Sequence, residues 1–150
     1  EEMKRLVCMG DVVTPNVTEA CILTETSYKE TGWTRRELLN MAMMLRLMGA
    51  KSVVITGVKE GSYLTNVVLE RGKNEAEFVK VKHAGTDRPG TGDVFSAVAA
   101  GAVVNGEPLK KAVLRASRFV RECIRKSDEL EIPINNGVCF EEVLDSLWKK

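Results

Sequence analysis

The motif Gly90-Thr91-Gly92-Asp93 carries the clearest chemistry in this 150-residue sequence. It precedes an apolar run that predicts a helix through Val104. Glycines let the backbone approach a ligand closely, and the first amide groups of a helix are unpaired and carry the positive end of the helix dipole. Such a helix start binds anions, phosphate above all. Asp93 adds a carboxylate suited to deprotonating an attacking hydroxyl group.

The same motif has a structural interpretation, which the residues alone leave open. A glycine turn is often followed by an aspartate in the first helical turn, where the dipole stabilises it. Two better-known phosphate-binding patterns are excluded. The Walker pattern Gly-x-x-x-x-Gly-Lys-Ser/Thr does not occur, and the dinucleotide fingerprint would need glycine where Phe95 stands.

A second group is Thr14-Pro15-Asn16-x-x-Glu19. Asn16 and Glu19 lie one helical turn apart and face the same way. Together they could hold a hydrated Mg²⁺, which takes one or two carboxylates along with water and phosphate oxygens. The alternative is a capping box, in which Asn16 begins a helix and Glu19 bonds back to it.

A third group, Thr56-Gly57, ends the β-branched run of residues 52–56. Such a run is typical of a strand buried on both faces. The hydroxyl and amide groups of Thr56 and Gly57 could contact phosphate. An ordinary turn explains these two residues as well.

The elements that must position these groups alternate between strand and helix, which predicts an α/β fold with helices on a mostly parallel sheet and an antiparallel hairpin. Ligands in such folds lie at the carboxyl ends of strands and the amino ends of helices. The predicted strands cover residues 7–13, 52–56, 63–69 and 76–82, the last two forming the hairpin. The predicted helices begin at a charged N-terminal stretch (residues 1–6), at Asn16 and at Thr34, and cover residues 91–104, 109–126 and 140–148.

Composition limits the function. Hydrophobic residues make up 44% and charged residues 29%, as in an ordinary globular domain, and the net charge is +1. This balance argues against nucleic-acid binding, and no apolar run is long enough to span a membrane. Four scattered cysteines and one histidine favour free thiols in a reducing cytoplasm over a disulfide framework or a zinc site.

Taken together, the three motifs in this order resemble the ribokinase superfamily, and within it the pyridoxal (vitamin B6) kinases. The resemblance extends over nearly the whole chain but matches only the C-terminal half of such a kinase. It implies a ribokinase-like fold, with residues 1–150 as the nucleotide-binding and catalytic part.

The resemblance also implies roles for the residues of the motifs. Asp93 matches the catalytic base, and Gly90, Thr91 and Gly92 match the anion hole that stabilises the transition state.

The remaining motifs match the groups that hold the cofactors, ATP and Mg²⁺. Asn16 and Glu19 match residues that position Mg²⁺, largely through water. Thr56 and Gly57 match residues near the ATP phosphates, and residues 83–88 match a loop near the nucleotide. A homodimer is the assembly that the resemblance suggests.

The acceptor implied is the hydroxymethyl group of pyridoxal, pyridoxine or pyridoxamine. The similar hydroxymethylpyrimidine kinases usually have cysteine in place of Asp93, and sugar kinases usually have alanine in place of Thr91. These two kinases remain alternatives, as do a non-catalytic nucleotide-binding fragment and an interaction protein with a chance Gly-Thr-Gly turn. Because the matching half lacks the residues that bind the acceptor ring, we expect this chain to be inactive alone.

Overall fold

The computed structural model describes residues 2–148; Glu1, which begins the predicted N-terminal helix, and Lys149 and Lys150 lie outside the described residues. The chain divides into two compact units with the boundary after Lys80. Each unit is described by itself.

The first unit combines helices with a mixed sheet. Its helices are α1 (Glu2–Met9), α2 (Val17–Thr24) and α3 (Arg35–Leu47). The strands are β1 (Val12–Val13), β2 (Ser52–Glu60), β3 (Tyr63–Leu69) and β4 (Glu77–Lys82), which runs across the boundary. They lie in the order β1-β2-β3-β4, with β1 parallel to β2 and β2 antiparallel to β3. The α/β fold is therefore confirmed, and the sheet is mixed.

Local sequence signals explain where two of these helices begin. Asn16 caps α2 and Thr34 caps α3, each through a capping box with the glutamate three residues later, Glu19 or Glu37. The two boxes satisfy amide groups that a helix start otherwise leaves unpaired. Both predicted helix starts are confirmed.

The core of this unit lies between α3 and the sheet. Leu38, Met41 and Leu45 project from one face of α3 and pack with the side chains of β2 and β3. The strand residues that contribute are Val53, Ile55, Val58, Val67 and Leu69. Each such side chain contributes about 1.5–3 kcal/mol when fully buried. This packing anchors β2, whose middle carries Thr56 and Gly57.

Two strand predictions in this unit were wrong in their extent. Residues 7–9 belong to α1, because the helix continues until Gly10, whose amide closes a turn onto the Val7 carbonyl; only Val12–Val13 form a strand. Conversely, β2 does not end at Thr56 but continues to Glu60 through a register shift between Ile55 and Val58. A bulge of this kind inserts an extra residue without ending the strand.

The second unit is helical. It contains α4 (Thr91–Val104) and α5 (Leu109–Glu129), which pack together, and two short 3₁₀ helices, Ile134–Asn136 and Glu141–Leu147. The predicted end of α5 at Lys126 is three residues early. The predicted last helix, residues 140–148, is observed as the 3₁₀ helix Glu141–Leu147. Within residues 2–148, no helix has the length and apolar character that a membrane span requires.

Candidate functional site

The Gly-Thr-Gly-Asp motif of the second unit begins α4. Gly90 is the cap residue, with φ of 82°, a left-handed conformation that favours glycine. It has no side chain to bond the first turn, and its carbonyl accepts the Val94 amide at 3.1 Å. The amide groups of the first turn therefore receive no bond from the cap residue, which leaves the positive end of α4 available to an anion.

Asp93 lies in that first turn with its side chain exposed. It borders a cavity of about 390 Å³ that is also lined by Gly90, Asn135 and Asn136. On another side it borders a larger, mainly apolar cavity of about 660 Å³, between α4, α5 and the C-terminal 3₁₀ helix. The carboxylate is thus next to the open helix start and to space for a ligand.

Sequence reasoning did not single out Asn135 and Asn136. Nothing local marks them, because they reach Asp93 only through the fold of the second unit. Arg88 fell within the loop of residues 83–88 expected near the nucleotide but was not singled out; its buried side chain links the loop before Gly90 to the end of α5.

The other two motifs meet in the first unit. The Thr56 amide donates to the Pro15 carbonyl at 2.9 Å, and Asn16 and Thr56 form a parallel bridge that extends the pairing of β1 with β2. Residues about 40 positions apart therefore lie side by side at the carboxyl end of a parallel strand pair. Ligands of open α/β sheets bind in this position.

Gly57 lies within the bulge of β2, with φ of 75°. Its amide donates to Oδ1 of Asn66 on β3, at 3.4 Å. Asn66 is only 5% exposed and is a further polar residue of this region that the sequence did not point to. Because the Gly57 amide has an acceptor within the protein, the Thr56 hydroxyl is the better candidate for a phosphate contact.

The capping box limits how Asn16 and Glu19 can bind a metal. The Asn16 amide donates to Glu19 Oε2 at 2.9 Å, and the Glu19 amide donates to Asn16 Oδ1 at 2.8 Å. Both residues are exposed, and Glu19 Oε1 is outside the box. Among the described residues, no group of three or more histidine, cysteine, aspartate or glutamate side chains is placed to hold a metal. The donors present fit Mg²⁺ held mainly by water and phosphate oxygens.

The candidate site residues thus form two groups, one in each unit. The first-unit group is Asn16, Glu19, Thr56, Gly57 and Asn66. The second-unit group is the 90–93 motif with its adjoining cavities.

The fold of this chain defines its structural class, and its sequence defines its family. The architecture matches solved ribokinase-like structures. One is a protein of Bacteroides thetaiotaomicron assigned to the phosphomethylpyrimidine kinases, with a TM-score of 0.92 and 32% identity over 99% of this chain and 51% of that one. The phosphomethylpyrimidine kinase family profile matches residues 1–138, and the chain belongs to that family.

The proteins similar to this chain include both pyrimidine kinases and pyridoxal kinases. A hydroxymethylpyrimidine/phosphomethylpyrimidine kinase of Aquifex aeolicus is 35% identical over 80% of this chain and 46% of its own length. The pyridoxal kinase of Lactobacillus plantarum is 26% identical, with a TM-score of 0.84 over 97% of this chain and 51% of that one. The superfamily expected from the motifs is confirmed, while the family profile and the Aquifex relative carry the pyrimidine kinase name. The chain spans about half the length of these three relatives.

Proposed function

We propose that this chain is the nucleotide-binding and catalytic part of a kinase that transfers phosphate from ATP to the hydroxymethyl group of pyridoxal, pyridoxine or pyridoxamine. The observation that carries the proposal is Asp93 beside the open N-terminus of α4, with cavities next to it. A carboxylate and unpaired amides in one helical turn are what a hydroxyl acceptor and a phosphoryl group need.

The step is an in-line displacement. The acceptor hydroxyl oxygen bonds to the γ-phosphorus of ATP, the bond from that phosphorus to the β–γ bridging oxygen breaks, and ADP leaves. Asp93 takes the proton of the hydroxyl group. The amides of Gly90, Thr91 and Gly92 stabilise the negative charge on the transferred group.

The first unit supplies the groups for ATP and Mg²⁺. Asn16 and Glu19 would hold Mg²⁺ through water, and Thr56 would contact the phosphates with its hydroxyl. When bound, Mg²⁺ neutralises charge on the phosphate oxygens.

A second candidate acceptor is hydroxymethylpyrimidine or its phosphate, with the same step and the same base. The names of the curated relatives and of the family profile support it. The vitamin B6 proposal is supported by Asp93, by the pyridoxal kinase of Lactobacillus plantarum, and by the pyridoxal in a second crystal form of the Bacteroides protein. Thr91 argues against sugar kinase activity, because the sugar kinases of the superfamily usually have alanine at that position.

The first test is calorimetric titration of Mg-ATP into this chain, with circular dichroism to show that it is folded. We expect saturable binding that weakens without Mg²⁺ and in the Glu19→Ala variant. Glu30→Ala is the matched control, because Glu30 is an exposed glutamate of the same unit outside the candidate site. A folded chain without measurable affinity for Mg-ATP contradicts a nucleotide site in this half.

The acceptor is decided by assaying a full-length protein that contains this chain with pyridoxal and with hydroxymethylpyrimidine. A larger kcat/KM for pyridoxal supports the first candidate, and the reverse supports the second. We also propose that the protein forms a homodimer. We further propose a cytoplasmic location, because all four cysteines are free thiols.

A further inference from the structure

Arg88 is a buried arginine two residues before the cap of α4. Its side chain is 4% exposed. A buried guanidinium destabilises a protein unless hydrogen bonds and an opposite charge compensate for the lost water. Its partners therefore indicate what the side chain holds in place.

The contacts of Arg88 converge on the end of α5 and the segment after it. Nη2 donates to Oδ1 of Asp128 at 2.9 Å. Nη1 donates to three backbone carbonyls, those of Ile132 at 2.8 Å, Gly137 at 3.3 Å and Pro133 at 3.4 Å. One planar side chain thus ties the loop before α4 to a carboxylate and to backbone carbonyls, one of which belongs to Gly137, a residue that lines the Asp93 cavity.

Two further contacts make the connection continuous. The Thr91 hydroxyl donates to the Arg88 carbonyl at 3.1 Å, which links Arg88 to the first turn of α4. On the other side, a methyl group at Gly85 would lie 1.9 Å from Oδ2 of Asp128, so the loop backbone lies directly against the same carboxylate. The path from α5 to the 90–93 motif therefore consists of hydrogen bonds and close packing.

The Nε–H group of Arg88 is buried without an acceptor among the described residues. Such a group destabilises the fold, and an apolar side chain that only filled the space would avoid this. This observation favours a role in holding geometry over simple packing.

We propose that Arg88 is a positioning residue that holds the 90–93 motif in the orientation needed to bind phosphate and to place the Asp93 carboxylate. The inference rests on the proposed function. A displacement of about 1 Å in such a site can lower the rate about 10²-fold. Lysine cannot replace Arg88, because it lacks the planar fork that reaches several acceptors at once.

The test compares Arg88→Met and Arg88→Lys with Arg125→Met. Arg125 is the matched control, because it is an arginine of α5 that forms ion pairs but is 64% exposed. Amide hydrogen exchange reports on the geometry without any ligand. We expect exchange at residues 90–95 to accelerate about tenfold or more in Arg88→Met, less in Arg88→Lys, and not in Arg125→Met, while the middle of α5 keeps its protection.

Chemical rescue separates positioning from general stability. In Arg88→Ala, methylguanidinium should restore protection at residues 90–95, and methylammonium should not. Mg-ATP titration is the second readout. We expect the affinity of Arg88→Met for Mg-ATP to be about tenfold or more below that of wild type.

The possible outcomes are distinct. Unchanged exchange at residues 90–95 in a folded Arg88→Met protein overturns the inference, as does an equal acceleration throughout α4 and α5. If Arg88→Met does not fold, the comparison of Arg88→Lys with wild type decides. If wild type binds no Mg-ATP, the proposed function fails, while the exchange data still decide the role of Arg88.

Discussion

Asp93 is placed where two electrostatic effects oppose each other. The dipole of α4 stabilises a carboxylate in the first turn, whereas a phosphate bound at the same helix start repels it. A neutral residue of the same shape would bind phosphate at least as well. This opposition favours the proposed role of Asp93 as the proton acceptor.

We predict that Asp93→Asn keeps Mg-ATP affinity and lowers turnover by the full-length protein about 10²-fold or more, because the amide cannot accept the proton. Steady-state kinetics with either acceptor, together with calorimetry, measure the two effects. Asp11→Asn is the control, because Asp11 is an exposed aspartate of the other unit, paired with Lys51. A near-normal rate would show that Asp93 is not the base.

The cysteines differ in reactivity for a physical reason. Burial, and secondarily the neighbouring Cys139, raises the pKa of Cys123 to about 12, and burial also raises the pKa of Cys21. Thiolates are the reactive form, so these two groups are inert near neutral pH. Cys8 is exposed.

We predict that iodoacetamide at pH 8 modifies Cys8 in the folded chain well before Cys21 or Cys123, as followed by mass spectrometry of peptides. The urea-denatured chain, in which all four cysteines should react, is the control. Equal labelling of Cys8 and Cys123 in the folded chain would contradict the burial of Cys123.

At the scale of elements, the start of α3 depends on Glu37. The Lys29 ammonium group, and then the amide and hydroxyl of Thr34, lower the pKa of the Glu37 carboxyl from 4.5 to about 2. Since the pKa is lower in the folded state, the contribution to stability is present above pH 4.5 and is lost as the pH falls towards 2.

We therefore predict that Glu37→Gln destabilises the chain at pH 7, and that the difference from wild type shrinks between pH 4.5 and 2. Urea unfolding followed by circular dichroism across this range measures it. Glu30→Gln, a nearby exposed glutamate, should show no such trend. A difference that stays constant down to pH 2 would exclude the ionised carboxylate as the cause.

The loop before α4 gives a second prediction at this scale. At Gly85, φ is 59° and a methyl group would overlap Asp128 Oδ2 and lie 2.7 Å from Ile124 Cγ2. Gly85→Ala should destabilise the chain by about 1–3 kcal/mol from overpacking, in addition to backbone strain.

The matched control is Gly72→Ala, because Gly72 has φ of 77° and open space around it. It measures the backbone strain alone. Thermal unfolding of both variants gives the difference, and equal destabilisation would show that the Gly85–Asp128 contact is unimportant.

At the scale of the whole molecule, the chain corresponds to about half the length of the Aquifex and Bacteroides relatives. It also exposes several large apolar side chains. Leu47 and Val104 are each 87% exposed, Trp148 is 84% exposed and Met9 is 81% exposed. These side chains lie at the ends of separate helices, and single exposed apolar residues of this kind are ordinary in folded proteins.

We predict that the 150-residue chain alone does not phosphorylate pyridoxal at a measurable rate, even where it binds Mg-ATP, because the acceptor-binding residues are expected in the other half of such kinases. A coupled ADP-release assay measures this, with a full-length relative as the positive control. Robust turnover by this chain would contradict the half-site interpretation.

The sequence by itself determined the features that depend on near neighbours. The capping boxes at Asn16 and Thr34, the buried β-branched segment of β2 and the glycine start of α4 all follow from residues within one or two turns of each other. The family resemblance followed because these motifs occur in a specific order. The catalytic and metal-binding roles of the motif residues stay predictions.

Only the tertiary structure decided which distant residues meet. The pairing of Thr56 with Asn16, the bond from Gly57 to Asn66 and the ion pair of Arg88 with Asp128 join positions 9 to 40 residues apart. Such contacts depend on how the chain closes its loops and packs its core, and no local pattern encodes them. The bulge in β2 has the same explanation. Pairing with β3 determined where β2 ends, and it outweighed the preference of Gly57 for a turn.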